Sequence, residues 1–519
     1  MESLAVVLGL LLVVTILFEV AGRVGVPYPT LLVLGGLAIA FVPGLPHLKL
    51  EPDLVLFVFL PPLLFRAAFE TSLRDLRANI GPVSRLAIGL VIFTTVVVAA
   101  VAHAVVPTLG WPAAFTLGAI VSPTDALAAT TVFRRLHVPG RVVTILEGEG
   151  LLNDATALIA YRAAAAAAIT GVFDPGGALV GFVIAGVGGI VFGVVVGLIA
   201  GVVLQRLDDP PVEVAVTLIV PFVAYLPAEQ LGLSAVLAAV AVGLVLGRRS
   251  ATISSPDSRV LGHDIWLMVA FLLNGFAFLL IGLELPEAVS GLGDASPLEL
   301  LRVAILVALA VVAARFVWTM VTGRLPGSAL ATIRRRDGHL AKQLGFLISW
   351  SGLRGAVSLA AALALPLDFP GRDLILLLTF TVILATLVGQ GLTLPLVARG
   401  LDVTGLDSER DEETVARRVA NDAGQAEVIR QRPRWPTHQP LLDQIEASLT
   451  DRSRHLATED PEETRERRQE RLEHEEIRRA VLAAERSAAI DLRDSGEISD
   501  DVLRTIEREL DLEELRMEA

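Results

Sequence analysis

The sequence predicts an all-α polytopic membrane protein followed by a charged helical tail, and three observations predict it. Of its 519 residues 53% are hydrophobic, and the mean hydropathy is +0.64. Apolar runs of roughly 17 to 25 residues, the length that crosses a hydrocarbon core, recur through the first 400 residues. The charge is gathered at one end: residues 401–519 hold 32 acidic and 19 basic side chains and carry the whole net charge of −13, while the first 400 residues balance. There is no cysteine, which excludes disulfides and thiolate metal sites. Met1-Glu2-Ser3 lacks the basic segment of a secretory signal, so the first apolar run reads as a retained helix.

Taken in order, spans are expected near 4–20, 30–42, 54–69, 83–106, 112–133, 142–168, 178–204, 213–226, 231–246, 264–283, 300–321, 343–365 and 374–397. Thirteen spans put the two termini on opposite sides. The connections after the odd-numbered spans as far as the eleventh hold sixteen Arg and Lys, among them Arg74, Arg77, Arg134, Arg135, Arg248 and Arg249. The alternate connections hold Lys49, Arg302 and Arg372, with Arg162 inside span 6. Basic residues stay on the cytoplasmic side. The N-terminus is therefore expected outside and the tail in the cytoplasm of a cell (inner) membrane protein.

Two spans are expected to be interrupted. Pro123 lacks the N–H a helix needs, so Ser122-Pro123-Thr124 breaks span 5. Gly352, Arg354 and Gly355 interrupt span 12. Broken backbone at membrane depth survives where it lines a cavity or an ion site. With span 7 as linker, the first and last six spans have opposite orientation, the layout of two inverted repeats. Beyond Leu401 the tail is polar and charged, with Pro433, Pro436 and Pro440 as a linker. Leu441, Leu442, Ile445 and Leu449, and then Ile498, Val502, Ile506 and Leu510, have helical spacing. No G-x-G-x-x-G follows a strand pattern, so a dinucleotide-binding regulatory domain is not expected.

Charged groups in a span are costly and mark function. Asp154, after Asn153, sits in the middle of span 6. Burial favours its neutral form and a bound cation its charged form, so one carboxylate can hold either a proton or a metal ion. Asn153 can position it but cannot titrate. Asp125 either helps bind the ion or caps the half-helix after the break. Thr124, and more weakly Ser122, offers hydroxyl and backbone oxygens that suit a monovalent cation, so Na+ or K+ is expected at Asp154 and Thr124. Glu149 and Arg354 are the expected buried ion pair. Glu147 faces the entry funnel, Arg66 and Arg315 pair or snorkel, and His103 is a packing residue.

The runs S-P-T-D-A-L-A-A-T-T-V-F and E-G-E-G-L-L-N-D-A-T-A-L, with F-L-P-P-L-L-F at 59–65 and G-L-R-G-A-V-S-L-A at 352–360, resemble the monovalent cation:proton antiporter-1 family. The resemblance implies a thirteen-helix secondary transporter, a homodimer, in which a core bundle (83–168 and 300–397) moves against dimerisation and scaffold helices (4–69 and 213–283), with a linker helix at 178–204. It implies that Asp154 carries ion and proton, that Asn153 is its companion, that Asp125 and Thr124 belong to the first unwound helix, and that Glu149 pairs with Arg354. An asparagine-aspartate pair implies electroneutral exchange. Two positions depart from the pattern. Gly150 stands where serine is common, and Arg66 stands where an acid is common, with Glu70 one turn further on in the ion pathway.

The function expected is exchange of Na+, or of K+ or Li+, for a proton by alternating access of the core. The rivals are a sodium-coupled solute symporter and an intramembrane aspartyl protease using Asp125 and Asp154. The protein is not expected to be an enzyme, to need a cofactor or to bind nucleic acid. Its partners would be the cation, the proton, membrane lipid and a second copy, with a cytoplasmic regulator for the 401–519 tail.

Overall fold

The computed structural model describes residues 2–24, 26–42, 52–172, 174–290, 296–324, 338–403, 409–456, 461–495 and scattered positions between 497 and 514. Among the described residues all regular structure is helical. The chain forms two compact units, Met1–Asp407 and Ser408–Ala519. Lys49, the basic run Arg334 to Arg336, and Ile498 lie outside the described residues.

The first unit opens with α1 (Glu2–Val24), α2 (Tyr28–Ala40) and α3 (Pro52–Glu70), followed by the short α4 (Leu73–Ala78). α5 (Ile80–Val105) leads to a first interrupted pair, α6 (Trp111–Val121) and α7 (Ala126–Arg135), and then to α8 (Gly140–Thr170). Five long helices follow: α9 (Pro175–Leu204), α10 (Pro210–Gln230), α11 (Ala235–Ile253), α12 (Pro256–Ser290) and α13 (Pro297–Thr322). The second interrupted pair is α14 (Gly338–Trp350) and α15 (Ala356–Leu363), and α16 (Arg372–Gly400) closes the unit. Among the described residues eight helices are long and apolar enough to cross a membrane. The other predicted segments fall on helices that are short, broken or charge-bearing.

Lipid supplies no hydrophobic drive between helices, so small residues that let backbones approach decide which helices pair. Gly36 of α2 and Gly282 of α12 face each other, where a Cβ on either would stand 2.1 Å from a backbone oxygen of the other helix. Gly243 and Gly247 of α11 lie in the same way against Phe65 and Phe69 of α3. The pairs α2–α12 and α3–α11 are among the most closely packed in the unit. The outer faces of α1 (Leu8, Leu12, Ile16) and α9 (Ile184, Val187, Val191) are exposed and apolar, as suits helices against lipid or another membrane chain.

Two π-helical turns, at Arg85–Leu90 in α5 and Ala385–Gln390 in α16, have no counterpart among the expected elements. In each, a side chain from another helix bonds a carbonyl of the turn: the Trp318 indole donates to Arg85 O at 3.0 Å, and Thr30 Oγ1 donates to Leu387 O at 2.8 Å. Such donors locally replace the regular ladder.

In the second unit, α17 (Glu409–Gln431) packs on α18 (Gln439–Leu456), and α19 (Pro461–Asp494) follows. Arg432 sits between Asp443 and Glu446, which hold its guanidinium above its ordinary pKa by hydrogen bonding. The expected helix around Leu441 and Ile445 is α18; of the last predicted helix, Val502, Ile506 and Leu510 are helical.

Candidate ion-binding site

The two interrupted helices meet at their breaks. Residues 122–125 and 351–355 are non-helical, and the Asp125 N–H donates to Leu353 O at 2.8 Å. The approach is close enough that a Cβ at Gly355 would lie 2.4 Å from Asp125 Oδ2, so only glycine fits there. Four helix ends thus converge, two with unpaired N–H groups and two with unpaired carbonyls. Asp125 serves the first kind. Its Oδ1 accepts from Leu127 N at 2.9 Å as the N-cap of α7, and it lies against Gly355, the N-cap residue of α15. Arg354 serves the second kind: Nε donates to Val121 O at 3.1 Å, at the end of α6, and a terminal nitrogen donates to Gly352 O after α14. An acid at N-termini and a base at C-termini each oppose the local helix dipole.

This corrects the expected Glu149–Arg354 pair. Arg354 is committed to freed backbone carbonyls, and among the described residues its other terminal nitrogen is buried without a partner. Glu149 pairs instead with Arg315 of α13, with N–O distances of 2.5 and 3.0 Å, and Arg315 Nε also donates to Ile348 O at 3.0 Å. The two side chains are 2% and 1% exposed. The bidentate fork satisfies both charges where water cannot. The network continues through Thr124, whose hydroxyl donates to Glu149 Oε1 at 2.7 Å, and Asn153, whose Nδ2 donates to Thr124 O at 2.9 Å and Oγ1 at 3.0 Å. Asn153 therefore ties α8 to the first break.

Asp154 lies next to this network and outside it. It is 7% exposed, and among the described residues no hydrogen-bond donor or salt-bridge partner meets its carboxylate. It faces a cavity of about 1000 Å³ shared with Thr124, Asp125, Gly150 and Ser358. The far wall comes from α1, α3 and α12, including Phe59, Phe271 and Asn274. At the mouth, Glu147 is paired with Arg134 at 2.6 Å, and Glu70 with Arg66 at 3.0 Å; Arg66 also donates to Trp266 O. Asp264 and Glu19 also line the cavity.

The structure thus brings Asp154, Asp125 and Thr124 to one cavity, with Glu147 and Glu70 at its mouth. Asn153 supports Thr124 from behind. Ser122 is not part of the lining: its hydroxyl donates to Ala119 O at 2.9 Å within its own helix. Gly150 approaches the start of α7 so closely that a Cβ would stand 2.7 Å from Ala126 Cβ, which leaves no room for a serine at this spacing. From the sequence Arg315 is expected only to pair or snorkel. No signal in the sequence separates it from Arg354: Arg315 lies in the unbroken α13, yet it too reaches a helix-end carbonyl, Ile348 O of α14, besides the Glu149 carboxylate. His103 packs as expected, with Nδ1 2.8 Å from Leu109 O and its ring against Trp111.

An all-helical membrane unit with two broken helices crossing beside one unpaired buried acid has the form of a secondary transporter. The chain belongs to the family described as "Sodium/hydrogen exchanger, transmembrane", whose model matches residues 8–400. It is 32% identical over 527 residues to an uncharacterized Na(+)/H(+) exchanger of Mycobacterium tuberculosis, covering 99% of this chain and 96% of that protein. It is 32% identical over 516 residues to the Na(+)/H(+) antiporter ApNhaP of Aphanothece halophytica, covering 97% of this chain and 95% of the relative. Its fold is similar to that of the sodium proton antiporter MjNhaP1 from Methanocaldococcus jannaschii, with TM-score 0.59 and 20% identity over 77% of this chain and 99% of that one. The family is one of transporters, which sets the protease reading aside.

Proposed function

We propose that the protein exchanges a monovalent cation, Na+ first, with K+ or Li+ as alternatives, for a proton across the cell membrane. The observation that carries this is Asp154: a buried carboxylate with no basic partner, facing a cavity, on the same helix as a carboxylate that is fully paired. In the cycle, deprotonated Asp154 takes the cation together with oxygens from Asp125, Thr124 and water. The core turns the site to the other side, and a proton displaces the cation there. One carboxylate exchanges one charge for one charge, which makes the cycle electroneutral.

The core is proposed as α5 to α8 with α13 to α16, the scaffold as α1 to α3 with α10 to α12, and α9 as linker, giving thirteen crossings in two inverted repeats. The packing supports this arrangement, since matching span n to span n + 7 exchanges the pair α2–α12 with the pair α3–α11. Arg134, exposed in the last turn of α7, lines one end of the cavity. By the positive-inside rule that end is cytoplasmic, the N-terminus is outside, and the cavity faces inward. The exposed apolar faces of α1 and α9 are available to lipid and to a second copy, and the 401–519 tail to a cytoplasmic regulator.

The test is exchange by proteoliposomes carrying a pH-sensitive dye. Adding Na+ alone should move protons, and Asp154→Asn should abolish the signal while the purified protein stays folded. Apparent KM for the cation should rise with proton concentration at constant maximal rate, the signature of competition for one site. A solute requirement would instead favour a symporter, and normal exchange by the Asp154→Asn protein would end the proposal.

A further inference from the structure

α8 separates two cavities. Asp154 and Leu151 line the large one, whereas Ala155, the next residue after Asp154, lines a second cavity of about 290 Å³ among α8, α9, α10 and α11. Leu151, Ala155, Tyr225 and Val236 belong to one buried apolar cluster. A thin layer of apolar side chains is therefore what divides the carboxylate from the second cavity. Along α8, two turns or about 12 Å beyond Asp154, Arg162 forms an ion pair with Glu229 of α10, and both residues line that cavity. The backbones of α8 and α10 make little other contact. The pair thus joins a helix carrying the site to one on the opposite wall.

We propose that Arg162 and Glu229 are positioning residues that latch the outer path shut while Asp154 faces the large cavity, and that the second cavity is the closed remnant of that path. This rests on the antiport reading above. The latch must part whenever Asp154 turns outward, and its setting suits that duty. Its side chains are 51% and 40% exposed, and exposed ion pairs are weak. The Glu149–Arg315 pair, by contrast, is buried and joins two helices of the same proposed core, which move together.

Arg162→Gln or Glu229→Gln should raise apparent cation affinity measured from the outer side by about two- to fivefold relative to the inner side, the range that follows from the worth of an exposed pair. The charge exchange Arg162→Glu with Glu229→Arg should restore the original ratio. A merely structural pair would not move this sidedness. Because the chain has no cysteine, Arg162→Cys with Glu229→Cys can be joined by a short bifunctional thiosulfonate without background reaction. Cross-linking should stop proton movement in step with the fraction joined, and reductant should restore it. A cross-linked protein that exchanges at its uncross-linked rate, or a failure of the two thiols to join, overturns the latch. If the unmodified protein moves no protons when Na+ is added, it is the antiport reading that has failed.

Discussion

Two carboxylates five residues apart on α8 show opposite solutions to the cost of a buried charge. Glu149 is neutralised by a two-pronged arginine and a threonine hydroxyl. Asp154 faces a cavity and has neither. The first is built to be permanent and the second to be exchanged. The difference does not lie in depth, since both are buried; it lies in what faces them. Glu149 meets Arg315 of α13 and Thr124 of the first break, while Asp154 meets the open space of the large cavity. The comparison teaches that burial alone does not identify a transport residue, whereas burial without a fixed counter-charge beside a cavity does.

The largest effect should come from erasing the difference. Asp154→Asn removes the titratable group and should reduce exchange to background, with thermal stability unchanged or raised, because a buried amide is cheaper than a buried unpaired charge. Loss of the folded protein by size-exclusion chromatography would show that Asp154 is structural after all. The converse change is Arg315→Met, which strands Glu149 as a second unpaired acid. It should destabilise the fold by about 3–5 kcal/mol, and adding Glu149→Leu should recover most of that. Thermal unfolding in detergent reads both. If Arg315→Met is harmless, the pairing assigned to Glu149 is wrong.

Asp125 stands between the two cases, as a cap and as a cavity acid. Asp125→Ala loses the bond to Leu127 N and should cost about 1 kcal/mol of stability. Asp125→Asn keeps a capping oxygen but not the charge. It should hold stability while raising apparent KM for the cation roughly tenfold, the lower end of what a focused negative field contributes. Equal behaviour of the two variants in cation affinity and in stability would leave Asp125 with a single role.

Much of this is legible in the amino-acid sequence. Apolar runs of this length mark helices, because lipid accepts only helices and closed barrels and barrel strands are shorter; Pro123 marks one break by its missing N–H, and Gly352 with Gly355 the other by the low helix propensity of glycine. Asp154 stood out for the same reason that it functions, as a charge in an apolar run. Partner choice was not legible. Whether Glu149 meets Arg315 or Arg354 depends on which arginine is already engaged by free carbonyls, and that is settled by the crossing of two segments more than 200 residues apart. The π-turns of α5 and α16 were also hidden, because the side chains bonded to them, Trp318 and Thr30, come from distant helices. The helices least like ordinary spans (α3, the two broken pairs and α8) are largely those that build the site.

The smallest effect is expected at the cavity mouth, where Glu147 and Glu70 repeat the paired arrangement of Glu149 in water. Each is held by an arginine, Arg134 or Arg66, and the Glu147 and Glu70 side chains are 27% and 50% exposed. Exposed pairs contribute about 0–1 kcal/mol, and salt screens what field they project beyond ~8 Å. Glu147→Gln and Glu70→Gln should therefore change apparent KM by less than about twofold at physiological salt, with maximal rate and stability unchanged. Any effect should grow as ionic strength falls, since that is when unscreened mouth charges steer cations. A large loss of exchange by Glu70→Gln that persists at high salt would instead make Glu70 a ligand, and would show that an acid can serve transport while paired.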